Sequence, residues 1–214
     1  MTFQPFTAAL LCALLAGCGG GRDRPEPRAA SRGPTDWRAV VTDADRTRLR
    51  NWRAAWTEAM GQVRSAGRTA ELTPFGALFE PDRALANPLP PPGDYRCRTI
   101  KLGAKSPGML AFVAYPWFAC RIEQERDVLS FVKDSGSQRP VGLIFPDGDS
   151  RGVFLGTLLL GDETSPLQYG QDRARDMAGI VERIGDRRWR MTLPYPAYES
   201  VIDVVELVPA TAAQ

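Results

Sequence analysis

Histidine occurs nowhere in the 214 residues. That absence removes Ser-His-Asp and Cys-His catalysis, imidazole-ligated zinc and imidazole pH switching in one step. Long apolar runs are also missing. The one candidate, 6–16 (FTAALLCALLA), falls short of the ~20 residues a helix needs to cross a bilayer. Net charge is lacking as well, since 27 basic and 25 acidic residues leave a formal +2, far from the basic excess of a nucleic-acid binder. No G-x-S-x-G, Walker loop, dinucleotide fingerprint or cluster of metal ligands is present, so no cofactor and no metal are expected.

What is present begins with an address. The run 6–16 has the length of a secretory h-region, and Leu15-Ala16-Gly17-Cys18 closes it as a lipobox. Residues 1–17 then read as a signal peptide, and Cys18 as the lipidated first residue of the mature chain. Several acyl chains on one cysteine hold a protein firmly to a membrane. Gly19 follows where Asp would mark retention at the inner membrane, so the expected location is the outer membrane, facing the periplasm. Residues 18–34 are rich in Gly, Pro and Arg and form a flexible linker, whose root-mean-square reach is roughly 20–25 Å. Residues 35–208 are long enough for one globular domain with its own core, and 209–214 form a tail.

Cysteine is sparse. Of four, Cys12 leaves with the signal and Cys18 carries lipid, which leaves Cys97 and Cys120 in an oxidising compartment as a disulfide. Closing that loop stabilises the fold by about 3 kcal/mol in the chain-entropy picture.

Two textures divide the globular part. In 35–90, Thr42 and Asp45 look like a capping box opening a helix that Gly67 can end. Leu49, Trp52, Trp56, Met60 and Val63 recur at spacings of three and four, making one apolar stripe. A second short helix is expected within 70–79, and 87–93 (NPLPPPG) is a stiff break. From 94 to 208 the period changes to eight short β-rich runs: 95–102, 117–122, 128–133, 140–145, 153–160, 179–184, 189–193 and 201–208. Turn chemistry at Asp134-Ser135-Gly136-Ser137, Asp147-Gly148 and Gly185-Asp186 makes neighbours antiparallel. The fold class is therefore mainly β: an eight-stranded up-and-down barrel, or a strongly bent sheet, with an N-terminal helix packed on it. The interval from Cys97 to Cys120 is centred within a residue of the turn dipeptide Pro107-Gly108. The two cysteines then face each other across a hairpin.

Few motifs carry chemistry. Ser130-Phe131-Val132-Lys133 matches S-x-x-K, but in a strand residues three apart point to opposite faces. Pro146-Asp147-Gly148-Asp149 lacks the further ligands of a calcium loop and reads as a turn. Asp162 with Glu163, or Glu123 with Glu125, are the carboxylate pairs a histidine-free hydrolase would have to use. Phe112, Tyr115, Trp117 and Phe118 form an aromatic-rich approach to the second strand, and these residues are the candidate contacts for a ligand or partner.

The blocks 91–97 (PPGDYRC), 136–149 (GSQRPVGLIFPDGD) and 178–196 (AGIVERIGDRRWRMTLPYP) resemble a bacterial family catalogued as domain of unknown function 4893. The resemblance runs from about Trp37 to Val208. It implies a Gram-negative envelope protein with no assigned activity and no catalytic residues to carry over. The expectation from sequence is a non-catalytic binding or envelope-structural module, in the first instance a lipocalin-like carrier of a small apolar ligand. A barrel that binds an envelope protein, as protease-inhibitor lipoproteins do, is the alternative, and a carboxylate hydrolase the minor one. The partners implied are the membrane, through the anchor, and that ligand or protein.

Overall fold

Thr42 opens the first helix as its spacing predicts, with its Oγ1 accepting a hydrogen bond from Asp45 N at 3.2 Å. The computed structural model describes residues 35–210, together with Met1 and Thr2; the lipobox with Cys12 and Cys18, the linker and the last four residues lie outside the described residues. The single helix expected from Thr42 to Gly67 is two. Helix α1 (Asp43–Arg50) ends at Asn51, whose backbone (φ −95°, ψ 11°) is off-helix, and α2 (Trp52–Ser65) starts afresh. The break redirects the apolar stripe. Leu49 of α1 packs with Val153, Leu155 and Ile180, while Trp56 and Val63 of α2 belong to a separate core with Ile100, Leu102 and Val204. The short helix expected within 70–79 is a 3-10 segment, Thr69–Phe79, kinked at Gly76. No helix among the described residues is long and apolar enough to cross a membrane.

All eight expected β-runs are strands. They are β1 (Gly93–Ala104), β3 (Phe118–Glu125), β4 (Val128–Lys133), β5 (Gln138–Pro146), β6 (Gly152–Leu160), β7 (Asp176–Gly185), β8 (Arg188–Pro194) and β9 (Ser200–Pro209), with a short β2 (Phe112–Ala114) between the first two. Each pairs antiparallel with the next, and β9 pairs with β1 from Tyr95↔Pro209 to Ala104↔Ser200. The barrel is therefore closed and has no free edge along its eight staves. β2 and β3 lie on the same edge of β1, at Ile100↔Ala114 and Cys97↔Phe118. They are one stave interrupted at Pro116, which has no N–H to donate to the ladder. The turn ahead of them is the expected one, for Met109 N donates to Ser106 O and Gly108 supplies φ +86°. Cys97 and Cys120 form a disulfide with Cα atoms 5.9 Å apart. Since Tyr95 opposes Cys120, the cysteines are diagonal neighbours rather than directly opposed.

Alternation along the staves sends Tyr95, Cys97, Ile122, Phe131, Ile144, Phe154, Met191 and Leu207 inward, where they fill the barrel. The outer face differs around the circumference. β3 alternates buried and exposed, whereas β6 is buried from Gly152 to Leu159 because α1 covers its outer side. On β8, Arg190 points outward yet is fully buried. Its guanidinium pairs with Glu182 and donates to the carbonyls of Leu78, Glu80, Pro81 and Arg83, and it lies over the Trp56 ring. One side chain thereby satisfies the backbone of a segment that makes almost no regular ladder of its own.

Two ends result. The proline end carries the 87–92 loop and the β3–β4, β5–β6 and β7–β8 turns. The lysine end carries the β1–β2 and β8–β9 turns, the β4–β5 turn and the long β6–β7 loop. The described chain enters at the proline end, where Trp37 Nε1–H and Arg38 both donate to Asp147 in the β5–β6 turn. It leaves there too, with Ala210 N donating to Asp94 O.

Candidate functional site

The proline end holds a cleft of about 420 Å³. Pro91, Pro92 and Leu89 form one wall, because the stiff NPLPPPG break cannot fold back on itself. The floor is Tyr95 and Trp189, inward residues of β1 and β8 whose rings meet edge to face with centroids 6.0 Å apart. Tyr95 Oη donates to Pro91 O at 2.7 Å, tying floor to wall. Burial pushes the Tyr95 hydroxyl up to about 12, against the charge of Arg187. Trp189 is 4% exposed, and its Nε1–H is buried with no hydrogen-bond partner. Arg183 and Arg187 line it as well, together with the carboxylates Asp94 and Asp186.

The lysine end is built differently. Inward alternation carries β1 through Tyr95, Cys97 and Thr99 to Lys101, and β4 through Leu129 and Phe131 to Lys133. The apolar interior therefore ends in two buried ammonium groups, Lys101 6% and Lys133 5% exposed. Lys101 Nζ sits 2.9 Å from Asp203 Oδ2 and 3.3 Å from Glu199 Oε2. Burial opposes its charge, yet those two carboxylates hold Lys101 above the usual lysine value. Ser200 Oγ donates in turn to Asp203 Oδ1. Lys133 donates to Gln138 O at 2.8 Å and lies 3.9 Å from the centroid of the Phe118 ring. A small opening of about 100 Å³ joins these groups.

The four aromatic candidates part company here. Tyr115 and Phe118 line the lysine-end opening. Phe112 is buried outside the barrel against Phe75, with ring centroids 6.0 Å apart. Trp117 stacks under the guanidinium groups of Arg98 and Arg96, 4.4 Å and 5.2 Å from their Cζ atoms. Strict alternation would have put Phe112 and Phe118 on one face and Tyr115 and Trp117 on the other, and the interruption at Pro116 breaks it, so that Phe112 faces outward and Phe118 inward.

The carboxylates are not brought together either. Glu123 and Glu125 are exposed toward the proline end, and Glu123 pairs with Arg121. Asp162 is exposed in the β6–β7 loop at the other end. Beside it, Glu163 pairs with Arg175 and accepts from Leu160 N, which hold its carboxyl down at about 2. Asp147 of the turn motif is occupied by Trp37, Arg38 and Arg151. In S-x-x-K, Ser130 is half-buried on the outer face and Lys133 is inside, as strand geometry requires. No group of three or more Cys, Asp and Glu suited to a metal occurs among the described residues.

Reading the residues alone missed Trp189, Tyr95, Lys101, Lys133 and Asp203. A signal for the two lysines existed. The chain has three lysines, at 101, 105 and 133, and two of them occupy inward positions at one end of their runs. No curated protein matches this chain, and no solved structure matches it. The family described as Domain of unknown function (DUF4893) matches residues 37–207, the span of the helices and nearly all of the closed barrel, and the chain belongs to that family.

Proposed function

We propose that this chain is a non-catalytic binding module, held by a lipidated Cys18 at the periplasmic face of the outer membrane, that takes a small and mainly apolar ligand. The observation that carries the reading is the proline-end cleft. Its 420 Å³ falls in the range of small-molecule sites, ~300–1,000 Å³, and its walls are proline, leucine, tyrosine and tryptophan. Because the barrel interior is filled by its own side chains, the ligand sits at the rim instead of in a lipocalin-like central cavity. The orphan Trp189 N–H calls for an acceptor, since an unmet buried donor costs about 1–3 kcal/mol. Arg183 and Arg187, balanced by Asp94 and Asp186, suit a neutral polar group such as a carbonyl on an otherwise apolar body. Glu123, Glu125 and Asp162 are exposed and Glu163 is held ionised by Arg175, so neither pair sits in a cleft with a raised carboxyl, which is the reason for preferring a binder over a hydrolase.

The test is native mass spectrometry of the full chain purified from bacterial envelopes without refolding. A retained small-molecule mass is expected, together with a loss of affinity of about tenfold in Trp189→Phe, which keeps the ring and removes the donor. An empty protein whose tryptophan fluorescence ignores a small-molecule extract of the envelope would overturn the reading.

One observation favours a protein partner as a second reading. Within residues 35–210 six large apolar side chains are exposed, and Met109, Leu110, Tyr115, Leu167 and Tyr198 all lie on loops of the lysine end; the sixth, Leu143, lies on a stave. Such a rim fits the apolar core of a transient interface. Crosslinking of the lipidated protein in cells through a photoreactive residue at position 110 should then capture one defined envelope protein, and capture of lipid alone would remove this reading.

A further inference from the structure

Lys133 is the buried charge that the cleft and its ligand leave unexplained. Lys101 has Asp203 and Glu199 as counter-ions, and Arg190 has Glu182. For Lys133 no carboxylate lies within 4.0 Å among the described residues, and its contacts are the Gln138 carbonyl and the face of Phe118. An ammonium has three donors, and one carbonyl with one ring leaves at least one of them without an acceptor. Moving an ion of this kind out of water without a partner costs several kcal/mol. Burial accordingly pushes Lys133 down to about 8, with the charges of Arg139 and Lys101 acting in the same direction.

The surroundings keep the ammonium approachable. Gly136, in the β4–β5 turn, has φ +93°, and a Cβ there would stand 2.7 Å from Lys133 Nζ and 3.2 Å from the Phe118 ring. The glycine is thus needed both for the turn and for the open space beside the charge. That space, about 100 Å³, is lined by Thr99, Tyr115, Ser137 and Gln138 as well as the two lysines. By its share of liquid volume this is room for about three water molecules. The lining offers three hydroxyls and an amide around the cation, with Phe118 as an apolar side, and its one carboxylate, Glu199, is taken up by Lys101 and Gln138.

We propose that the lysine end is a binding site for a small carboxylate, of about two or three carbons by volume, whose oxygens take the free donors of Lys133. The site lies at the opposite end of the barrel from the cleft and does not depend on it. The anion is held by a charge-assisted hydrogen bond in a water-poor site, where such bonds are strongest. Specificity comes from size: Gly136 sets the clearance above the ammonium, and Lys101 stays committed to Asp203 and Glu199. The charged groups around Lys133 are Lys101 from β1, Asp203 from β9, Glu199 from the β8–β9 turn and Arg139 from β5. Lys133, at about 8, loses its proton between pH 7 and pH 9. Binding therefore needs its ammonium form, and the apparent affinity for a carboxylate should be about tenfold lower at pH 9 than at pH 7.

The experiment uses the full chain labelled with ¹³C,¹⁵N-lysine, in which three lysines give three side-chain signals. Sodium acetate is titrated against sodium chloride at matched ionic strength, at pH 7 and pH 9, with inorganic phosphate as a separate arm. Saturable movement of the Lys133 signal with acetate, weaker at pH 9 and leaving Lys101 in place, is the expected result. Gly136→Ala, which fills the clearance, should abolish it. In Lys133→Met, which keeps an apolar stem of similar length and secures the test should the glycine variant fail to fold, acetate should no longer raise the melting temperature. Linear movement of all three signals, or none, would overturn the proposal. Saturation by phosphate without acetate would overturn it too, since the site would then be built for a tetrahedral anion.

Discussion

Arg190 Nη2 lies 2.5 Å from Glu182 Oε2 across the β7–β8 ladder, on the outside of the barrel and beneath the 3-10 segment. The same guanidinium donates to the carbonyls of Leu78 and Glu80 at 3.0 and 2.7 Å. The pair joins the barrel to the chain that walls the proline-end cleft. Replacing Arg190 by Leu leaves Glu182 buried without a partner, and breaking a buried pair in this way costs about 3–5 kcal/mol. The double variant Arg190→Leu/Glu182→Leu removes the stranded carboxylate and should recover part of that loss, read as the midpoint of urea unfolding; the rest stays lost because the carbonyls of Leu78, Glu80, Pro81 and Arg83 keep no donor.

Lys133 makes the opposite prediction, that deleting a charge stabilises. Its folded-state value of about 8 lies below the 10.5 of the unfolded chain, so between those values the unfolded chain holds the extra proton. Stability should therefore rise with pH from about 8 to 10.5. Lys133→Met should flatten that rise and be more stable at pH 7 by about 1–3 kcal/mol. A melting temperature of Lys133→Met at or below that of the parent at pH 7, and equal slopes from pH 8 to 10, would refute this.

Glu163 titrates at the acid edge. The hydrogen bond from Arg175, then that from Leu160 N, hold it at about 2 against a usual 4.5. Its contribution is complete above pH 4.5 and is lost as pH falls toward 2. The difference in melting temperature between the parent and Glu163→Gln should shrink across that window, and a difference constant from pH 6 to pH 2 would contradict the assignment.

The disulfide joins residues 23 apart in sequence. Cys97→Ala/Cys120→Ala should lose about 3 kcal/mol of unfolding free energy by loop-closure entropy. The barrel itself should persist, because the inward residues around the bridge pack without it. Far-ultraviolet circular dichroism identical to the parent, with a lower urea midpoint, is the expected pattern.

The staves were legible because turn residues punctuate them: Pro107-Gly108, the 134–137 turn and Asp147-Gly148 each sit where a ladder reverses. The division of one stave at Pro116 and of one helix at Asn51 were not. Both depend on what lies across the interface: α1 faces β6 and β7 while α2 turns onto β1 and β9. The sites were less legible than the fold. An aromatic cluster is visible in a line of residues, but the face of each ring follows from register, and the register changed at Pro116. Lys133 was visible only as part of a motif that strand geometry excludes. Its isolation from carboxylates is a fact about β1 and β9, which lie far from it along the chain and hold Asp203 on Lys101.

Closure of the barrel has a temporal side. β1 completes one of its edges only when β9 arrives, and the partners Arg96 and Val208 are separated by nearly the whole β region. A chain emerging from its N-terminus forms successive hairpins early, because each needs only a short loop, yet the seam that seals the cylinder waits for the last stave. Until then the amide edge of β1 is open to pairing with a neighbouring molecule. Late sealing of this kind places the protein among slow folders, on a scale of ~ms to s, and makes the final ten residues of β9 the step that ends its exposure to aggregation.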